Sequence, residues 1–219
     1  MKVKIDLHVH STFSDGIHDV YSLLKAAKSK GLDGIAITDH NTIAGSIEAV
    51  KIARRMDDFI VVPGTEVRSK RGDILALGIY EDIRPDIEPE EVVDEIHERG
   101  GLAIAAHPYS RLSRDSLGDY ILKVNFDGVE TLNARARGFE NRKAEVKCKT
   151  LGLSCVGGSD AHSIWEVGNA YTIIEANCDI DDILKGISMG LTKPVGVITP
   201  LGLILKVTLY HKLRVLGFD

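Results

Sequence analysis

The sequence predicts an α/β protein, a distorted (β/α)7 barrel of the TIM-barrel-like kind. Short apolar runs alternate with stretches of helical period, and side chains that bind metals follow those runs repeatedly. Repeated βα units imply parallel strands with right-handed crossovers, and about seven of them favour closure over an open sheet. In such barrels the chemistry lies at the C-terminal ends of the strands, where these side chains fall. A chain of 219 residues suits one sizeable core, so a barrel domain is expected over 1–194, followed by an apolar and basic helical extension over 195–219.

Taken in order, Val3 to His8 alternates as a strand, and Val20, Leu23, Leu24 and Ala27 then recur at helical spacing until Gly31,. Gly34 to Thr38 is a second short strand ending in Asp39-His40, followed by a helix from about Ser46 to Met56,. Ile60-Val61-Val62 leads through Pro63-Gly64 to Glu66, and Asp73 to Ile79 makes another strand beyond the turn Lys70-Arg71-Gly72,. Pro89 opens a helix that Gly100-Gly101 ends,. Leu102 to Ala106 runs into His107-Pro108, Gly128 to Thr131 into Leu132-Asn133, and Ser154 to Gly158 into the pair Asp160 and His162. Arg142 to Leu151 reads as a helix, and Val195 to Leu216 as a packed C-terminal one.

Period-two alternation sets Asp6, His8 and His10 on one strand face, so that both imidazoles approach one ion while Asp6 supports them from beneath,. Ser14-Asp15-Gly16 is turn chemistry taken alone and a ligand loop beside that histidine pair,. Asp39 or Asn41 could cap the next helix, with His40 facing the site,. Glu66 is a natural bridging carboxylate, and His107, after an apolar strand, needs a ligand or a firm hydrogen bond,. Gly157-Gly158-Ser159 permits close backbone approach next to Asp160 and His162,. His18, His97 and His211 read instead as a loop residue, a solvated helix residue and part of a basic stretch,. Arg111 and Arg135 are the candidates for holding a phosphate, since a guanidinium pairs bidentately with its oxygens, whereas Arg68, Lys70 and Arg71 read as a solvated turn,.

A net charge of −5 gives no footprint for duplex nucleic acid, although a locally basic pocket can still take a polyanion,. Cys148, Cys155 and Cys178 form no C-x-x-C pair, so neither a disulfide framework nor a zinc-thiolate site is expected and a reducing cytoplasm is inferred,. Met1 to Lys4, followed by Asp6 and His8, lacks the apolar core of a signal peptide,. Pro200, Gly202, Lys206, His211, Lys212 and Arg214 make the C-terminal stretch a poor membrane span, with weak membrane-surface contact as its secondary reading,.

Asp6-x-His8-x-His10-Ser11, Ser14-Asp15-Gly16, Thr38-Asp39-His40, Gly64-Thr65-Glu66, His107-Pro108 and Gly158-Ser159-Asp160-Ala161-His162, in this order, resemble the polymerase-and-histidinol-phosphatase (PHP) family over residues 3 to about 194. Val167 to Thr172 and the helix near Asp182 look like the C-terminal segment often appended to PHP phosphoesterases. The resemblance implies the seven-stranded barrel and two or three divalent ions, commonly zinc, manganese or iron. It also implies that His8, His10, Glu66 and Asp160 hold one ion, Glu66 and His107 a second, and Asp15, His40 and His162 a third. Many relatives carry a further histidine on the strand that here reads Gly72 to Gly78; Asp73 is the nearest substitute, unless the second ion relies on water.

The expected activity is metal-dependent hydrolysis of a phosphomonoester or phosphodiester, in a phosphorylated metabolite, a nucleotide or a short nucleic acid end. Asp15, His40, Asp160 and His162 are the candidate catalytic residues. A noncatalytic metal-binding module that regulates a partner, and an amide hydrolase on the same barrel, are the competing readings.

Overall fold

A computed structural model describes residues 1–111 and 116–217. The alternation of strand and helix is present. β1 (Lys2–Val9) leads to α1 (Val20–Ser29), β2 (Gly34–Ile37) to α2 (Ala44–Ala53), and β3 (Ile60–Val61) to β4 (Gly64–Ser69) and β5 (Gly72–Leu77). Then come α3 (Pro89–Glu98), β6 (Leu102–Ala105), a 3-10 turn (Gly118–Leu122), β7 (Gly128–Asn133), α4 (Gly138–Leu151) and β8 (Ser154–Gly158). β9 (Ala170–Glu175), α5 (Ile180–Ser188), β10 (Thr192–Gly196) and α6 (Leu201–Val215) complete the described chain.

The helices form for local reasons. Asp19 accepts the Ser22 N–H at 2.8 Å and caps α1, whose Val20, Leu23, Leu24 and Ala27 make one buried stripe,. Pro89 sits in the first turn of α3, and Gly152 ends α4 at φ 67°, a left-handed conformation that favours glycine,.

The strands correct the expectation of one parallel barrel. Among the described residues they form two five-stranded sheets, ordered β10-β9-β1-β2-β3 and β4-β5-β6-β7-β8, and the ladders do not close into a single barrel. Pairing is mixed. β1-β2, β2-β3, β6-β7 and β7-β8 are parallel, whereas β4-β5, β5-β6, β1-β9 and β9-β10 are antiparallel. Only Lys70 and Arg71 separate β4 from β5, and so short a link can join only antiparallel neighbours,. The sheets meet through two isolated parallel bridges, Val9 with Ala161 and His40 with Glu66.

A core of Ile5, Leu7, Leu75, Leu77, Ile104 and Val156 draws on both sheets. Val67, Ile74 and Val129 pack instead with α3 and α4, and Val9, Ile35 and Ile37 with α1 and α2. Leu7 and Val9 therefore belong to different clusters, which strict alternation forbids; a register shift between Asp6 and Val9 interrupts the β1-β2 ladder there. Irregularities of this kind re-aim side chains next to functional sites, and this one falls in the stretch that carries His8.

Two further expectations change. The C-terminal helix starts at Leu201, because residues 192–196 pair with β9 as β10, and it is not packed: of α6 only Val207 is buried. Cys148 on α4 and Cys155 on β8 are joined as a disulfide, their Cα atoms 6.2 Å apart across the turn at Gly152, and Cys178 is free and exposed. The cysteines thus give no support to a reducing compartment. No described helix is long and apolar enough to cross a membrane.

Candidate metal centre

The residues singled out by sequence converge on one pit where the two sheets meet. His8 and His10 come from β1 and its end, His40 follows β2, Glu66 lies on β4, Asp73 opens β5, and His107, Asp160 and His162 follow β6 and β8. His8 and His10 are fully buried, Glu66 is 1% exposed, and His107 and Asp160 hold positive φ angles of 26° and 52°. Such backbone conformations persist only where surrounding structure enforces them, and they concentrate at functional sites.

Four donor atoms define the innermost group. His8 Nε2 and His10 Nε2 are 3.1 Å apart, and each lies 3.3 Å from Glu66 Oε2. Asp160 Oδ1 is 3.7 Å from His8 Nε2 and 3.3 Å from His10 Nε2. A tetrahedral shell with bonds of about 2.0–2.1 Å has edges of about 3.3 Å. The five separations bracket that length; His8, His10 and Asp160 form a cluster of possible ligands, and Glu66 adds a carboxylate oxygen close to both imidazoles.

The other oxygen of Glu66 turns to a second group: Oε1 lies 2.9 Å from His107 Nε2, with Asp73 completing a cluster of possible ligands. One carboxylate thus serves two groups, as the bridging role requires. A third gathers Asp15, His40, His162 and His10, with Asp15 Oδ2 3.1 Å from His162 Nε2 and 3.7 Å from His40 Nε2. The structure brings together the residues of the three sets that the resemblance implies, with His10 beside the third, Asp73 beside the second, and a further cluster of His8, His107 and Glu130.

Electrostatics supports the same fit. Burial disfavours charge on His10, yet the Asp160 and Glu66 carboxylates hold its pKa up at about 10. Burial opposes the charge on His107 too, and Glu66 raises that pKa to about 9. Glu66 and Asp160 stay well below the usual carboxylate range despite burial, held there by surrounding histidines. The pit sets buried carboxylates against imidazoles, an arrangement that favours positive charge at its centre,.

Comparison with known proteins decides the family. Residues 138–192 match the PHP-associated (PHP_C) family model. An uncharacterized protein of Methanocaldococcus jannaschii is 40% identical over 146 residues, 62% of this chain and 84% of its own length. The fold matches that of a two-domain Bacteroides vulgatus protein containing a predicted PHP-like metal-dependent phosphoesterase, with a TM-score of 0.78 at 16% identity over 96% of this chain and 70% of that one. The chain belongs to the PHP family. A curated relative, the phosphoribosyl 1,2-cyclic phosphate 1,2-diphosphodiesterase of Eggerthella lenta, is 39% identical over 82 residues, 35% of this chain and 31% of that protein.

Around the PHP ligand groups lies a supporting layer that sequence reasoning identified only in part. Glu130, buried on β7, was not singled out. Its Oε1 lies 3.0 Å from His8 Nδ1, and its Oε2 accepts the His107 N–H at 2.8 Å and the Asn133 amide at 3.0 Å. A carboxylate on Nδ1 fixes the tautomer that leaves Nε2 open to a metal. Asp6 acts from beneath, accepting the N–H groups of Ser159 at 2.9 Å and Gly168 at 2.8 Å; burial raises its carboxyl pKa to about 6 against those bonds. Asp39 anchors the loop that carries Asp15, accepting from the Ser11 N–H and from the hydroxyls of Ser11 and Ser14.

The remaining candidates are placed as follows. Arg135 lines the cavity, but its guanidinium grips buried Glu166 through Nε at 2.9 Å and NH2 at 3.1 Å, and Glu166 in turn accepts the His162 N–H. Arg111 lies over the Phe139 ring at 5.7 Å and is not part of the cavity lining. Arg68, read as part of a solvated turn, does line the cavity. His97 is not simply solvated, since its Nε2 lies 2.8 Å from Asp127 Oδ2. His211, set aside with the basic stretch, lines a small cavity with Asp15 and His162.

Proposed function

We propose that this PHP protein is a metal-dependent phosphoesterase acting on a phosphomonoester or phosphodiester in a small phosphorylated molecule or a short nucleic acid end. The observation that carries this reading is the set of five donor separations, from 3.1 to 3.7 Å, among His8, His10, Glu66 and Asp160. In this proposal His8, His10, Glu66 and Asp160 hold one ion, Glu66, His107 and Asp73 a second, and Asp15, His40 and His162 a third. Bound divalent ions would lower the pKa of a water and offset charge on the phosphate oxygens.

The chain's own groups do the rest. Glu130 orients His8, and Asp6 fixes the loop bearing Asp160 and His162. With one oxygen given to the third ion, Asp15 keeps a second carboxylate oxygen at the cavity wall, suited to accept a proton from the attacking water and return it to the leaving oxygen, while His162, 3.1 Å away, holds that carboxylate in place,. Asp160 and His40 hold that pair in register with the phosphate. The cavity, about 650 Å³ in volume, suits a small ligand or a single-stranded end rather than a duplex,.

The test is a screen of phosphomonoesters and phosphodiesters with Mn²⁺, Zn²⁺ or Fe²⁺ added to metal-free protein, repeated with His8→Ala and Glu66→Gln. Metal-dependent turnover that both variants abolish, in folded protein, is the expected result. Turnover unchanged in the variants would overturn the proposed site. Metal binding without turnover of any phosphoester would point to the noncatalytic module, and hydrolysis of amides alone to the third reading.

A further inference from the structure

The hydrolytic reading leaves α6 without a role, and the helix does not pack as one docked for stability alone. Val207 is buried, yet Leu201, Leu205, Leu209 and Leu213 are between 40% and 62% exposed. Its start is nevertheless fixed to the rim of the metal centre. The Thr199 N–H donates to the Ala134 carbonyl at 2.7 Å, and the Asn169 amide donates to Thr199 Oγ1 at 2.9 Å. Ala134 follows Asn133, whose amide bonds Asp160 at 3.2 Å. Further along, the Lys206 ammonium lies over the Trp165 ring at 4.9 Å.

From that anchor one stripe of α6 faces the site. Leu201, Ile204, Leu205, Thr208 and Lys212, at i, i+3, i+4, i+7 and i+11, line the same 650 Å³ cavity as Glu66, His107 and Asp160,. His211 lines an adjoining cavity of about 80 Å³ that shares Asp15, Arg135, His162 and Thr208 with the larger one. The Nδ1 of His211 is buried and has no hydrogen-bond partner among the described residues. A buried polar atom left unpaired in a cleft calls for a partner that binds there.

Charge sharpens the point. Residues 195–217 contain Lys206, His211, Lys212 and Arg214 and no aspartate or glutamate, in a chain of net charge −5. Arg135 is engaged with Glu166 and Arg111 lies outside the lining, so the phosphate-holding role expected of those two falls to other cations. Lys212, exposed and on the cavity wall, is suited to it.

We propose that α6 is the substrate-recognition wall of the site. His211 hydrogen-bonds a substrate oxygen, Lys212 pairs with a second negative charge on the substrate, and Leu201, Ile204 and Leu205 pack against an apolar ring. The substrate class is then a small organic phosphate that carries both a ring and a second anionic group. This assignment rests on the phosphoesterase reading above.

The test measures KM and kcat for metal-loaded protein on three probes: glycerol 2-phosphate, p-nitrophenyl phosphate and adenosine 3′,5′-bisphosphate. Lys212→Met is expected to raise KM for the bisphosphate by roughly tenfold, the size of one charge-assisted contact, and for the two monophosphates by less. His211→Gln raises KM on all three, and Leu205→Ser raises it only on the two that carry a ring. Leu209→Ser, on α6 but outside the cavity lining, changes none of them. Bound-metal content and melting temperature identify a variant that has lost its fold; Lys212→Gln then serves in place of Lys212→Met, and Lys212→Arg, keeping the charge, is expected to bind like the wild type.

Wild-type turnover with KM unmoved in both Lys212→Met and His211→Gln overturns the wall while leaving the phosphoesterase reading intact. If the wild type hydrolyses none of the probes, the phosphomonoester half of the phosphoesterase reading is what fails. Titration of metal-loaded protein with the bisphosphate then reads the wall directly: weaker binding by Lys212→Met supports it, and equal or absent binding overturns it.

Discussion

Glu130 shows what a single buried side chain contributes at the residue scale. It ties β7 to both His8 and His107, so Glu130→Gln keeps the shape and removes the charge that fixes the His8 tautomer. Metal affinity should fall by about 10–100-fold, as for other partners of ligating histidines, with the melting temperature of the metal-free protein little changed. Competition with a chelating dye measures it, and unaltered affinity would remove Glu130 from the centre. Gly158 is a packing constraint of the same kind. A Cβ there would stand 2.5 Å from His8 Cβ and 2.8 Å from Glu130 Oε1, so Gly158→Ala should cost about 1–3 kcal/mol of stability and displace His8,. Thermal denaturation together with metal content reads both effects; a variant that melts and loads like the wild type rules out the constraint. The strand-end ligands were legible because each stands where an apolar run stops. Glu130 was not, because it lies within the run Gly128-Val129-Glu130-Thr131, and the overlooked signal was a carboxylate at a position that burial otherwise forbids unless paired,.

Among the elements, the two loops that follow β7 and β8 act as one unit, clasped by Arg135 and Glu166. Glu166 is fully buried and also receives the His162 N–H and the Ser163 hydroxyl. Arg135→Met strands that carboxylate, and breaking a buried pair from one side costs about 3–5 kcal/mol. The expected outcome is a large drop in denaturation midpoint and a displaced His162. Full stability with a raised KM would instead mark Arg135 as a substrate ligand, as its residue type suggested. At the other side of the site Asp19 offers a contrast: Asp19→Ala removes the α1 cap and should cost about 0.5–2 kcal/mol without touching metal affinity. A chemical denaturation curve beside a metal titration separates the two kinds of change. The stripes of α1 and the proline and glycine at the ends of α3 and α4 were legible because those signals are local. The boundary between β10 and α6 was not, since Val195 and Gly196 become a strand only by pairing with β9, a long-range event without local signature.

The whole molecule differs from its sequence expectation chiefly in strand direction. βα alternation reports which elements exist, whereas antiparallel pairing of β4 with β5 follows from a two-residue link that was legible and was outweighed by the repeated pattern. The proposed ligands straddle the two sheets, His8, His10 and His40 on one side and Glu66, His107, Asp160 and His162 on the other. A cation at about 100 times its Kd should therefore stabilise the fold by about 2.7 kcal/mol, raising the melting temperature by about 2–4 °C per kcal/mol for a chain of this size. Differential scanning calorimetry with and without chelator checks this, and a melting temperature indifferent to metal would show that the centre bears no load.

Of the two single bridges, Val9 with Ala161 lies directly between His8 and His10 on one strand and Asp160 and His162 on the other, and His40 with Glu66 joins two of the proposed ligands themselves. A seam held by so few backbone bonds can part only by pulling the ligand sets asunder, so ion release and the parting of the sheets become one event with one free energy. The amide protons of His10 and Glu66, which cross that seam to the carbonyls of Ala161 and Thr38, are then its natural clock: their exchange with solvent would slow in step with each ion gained,.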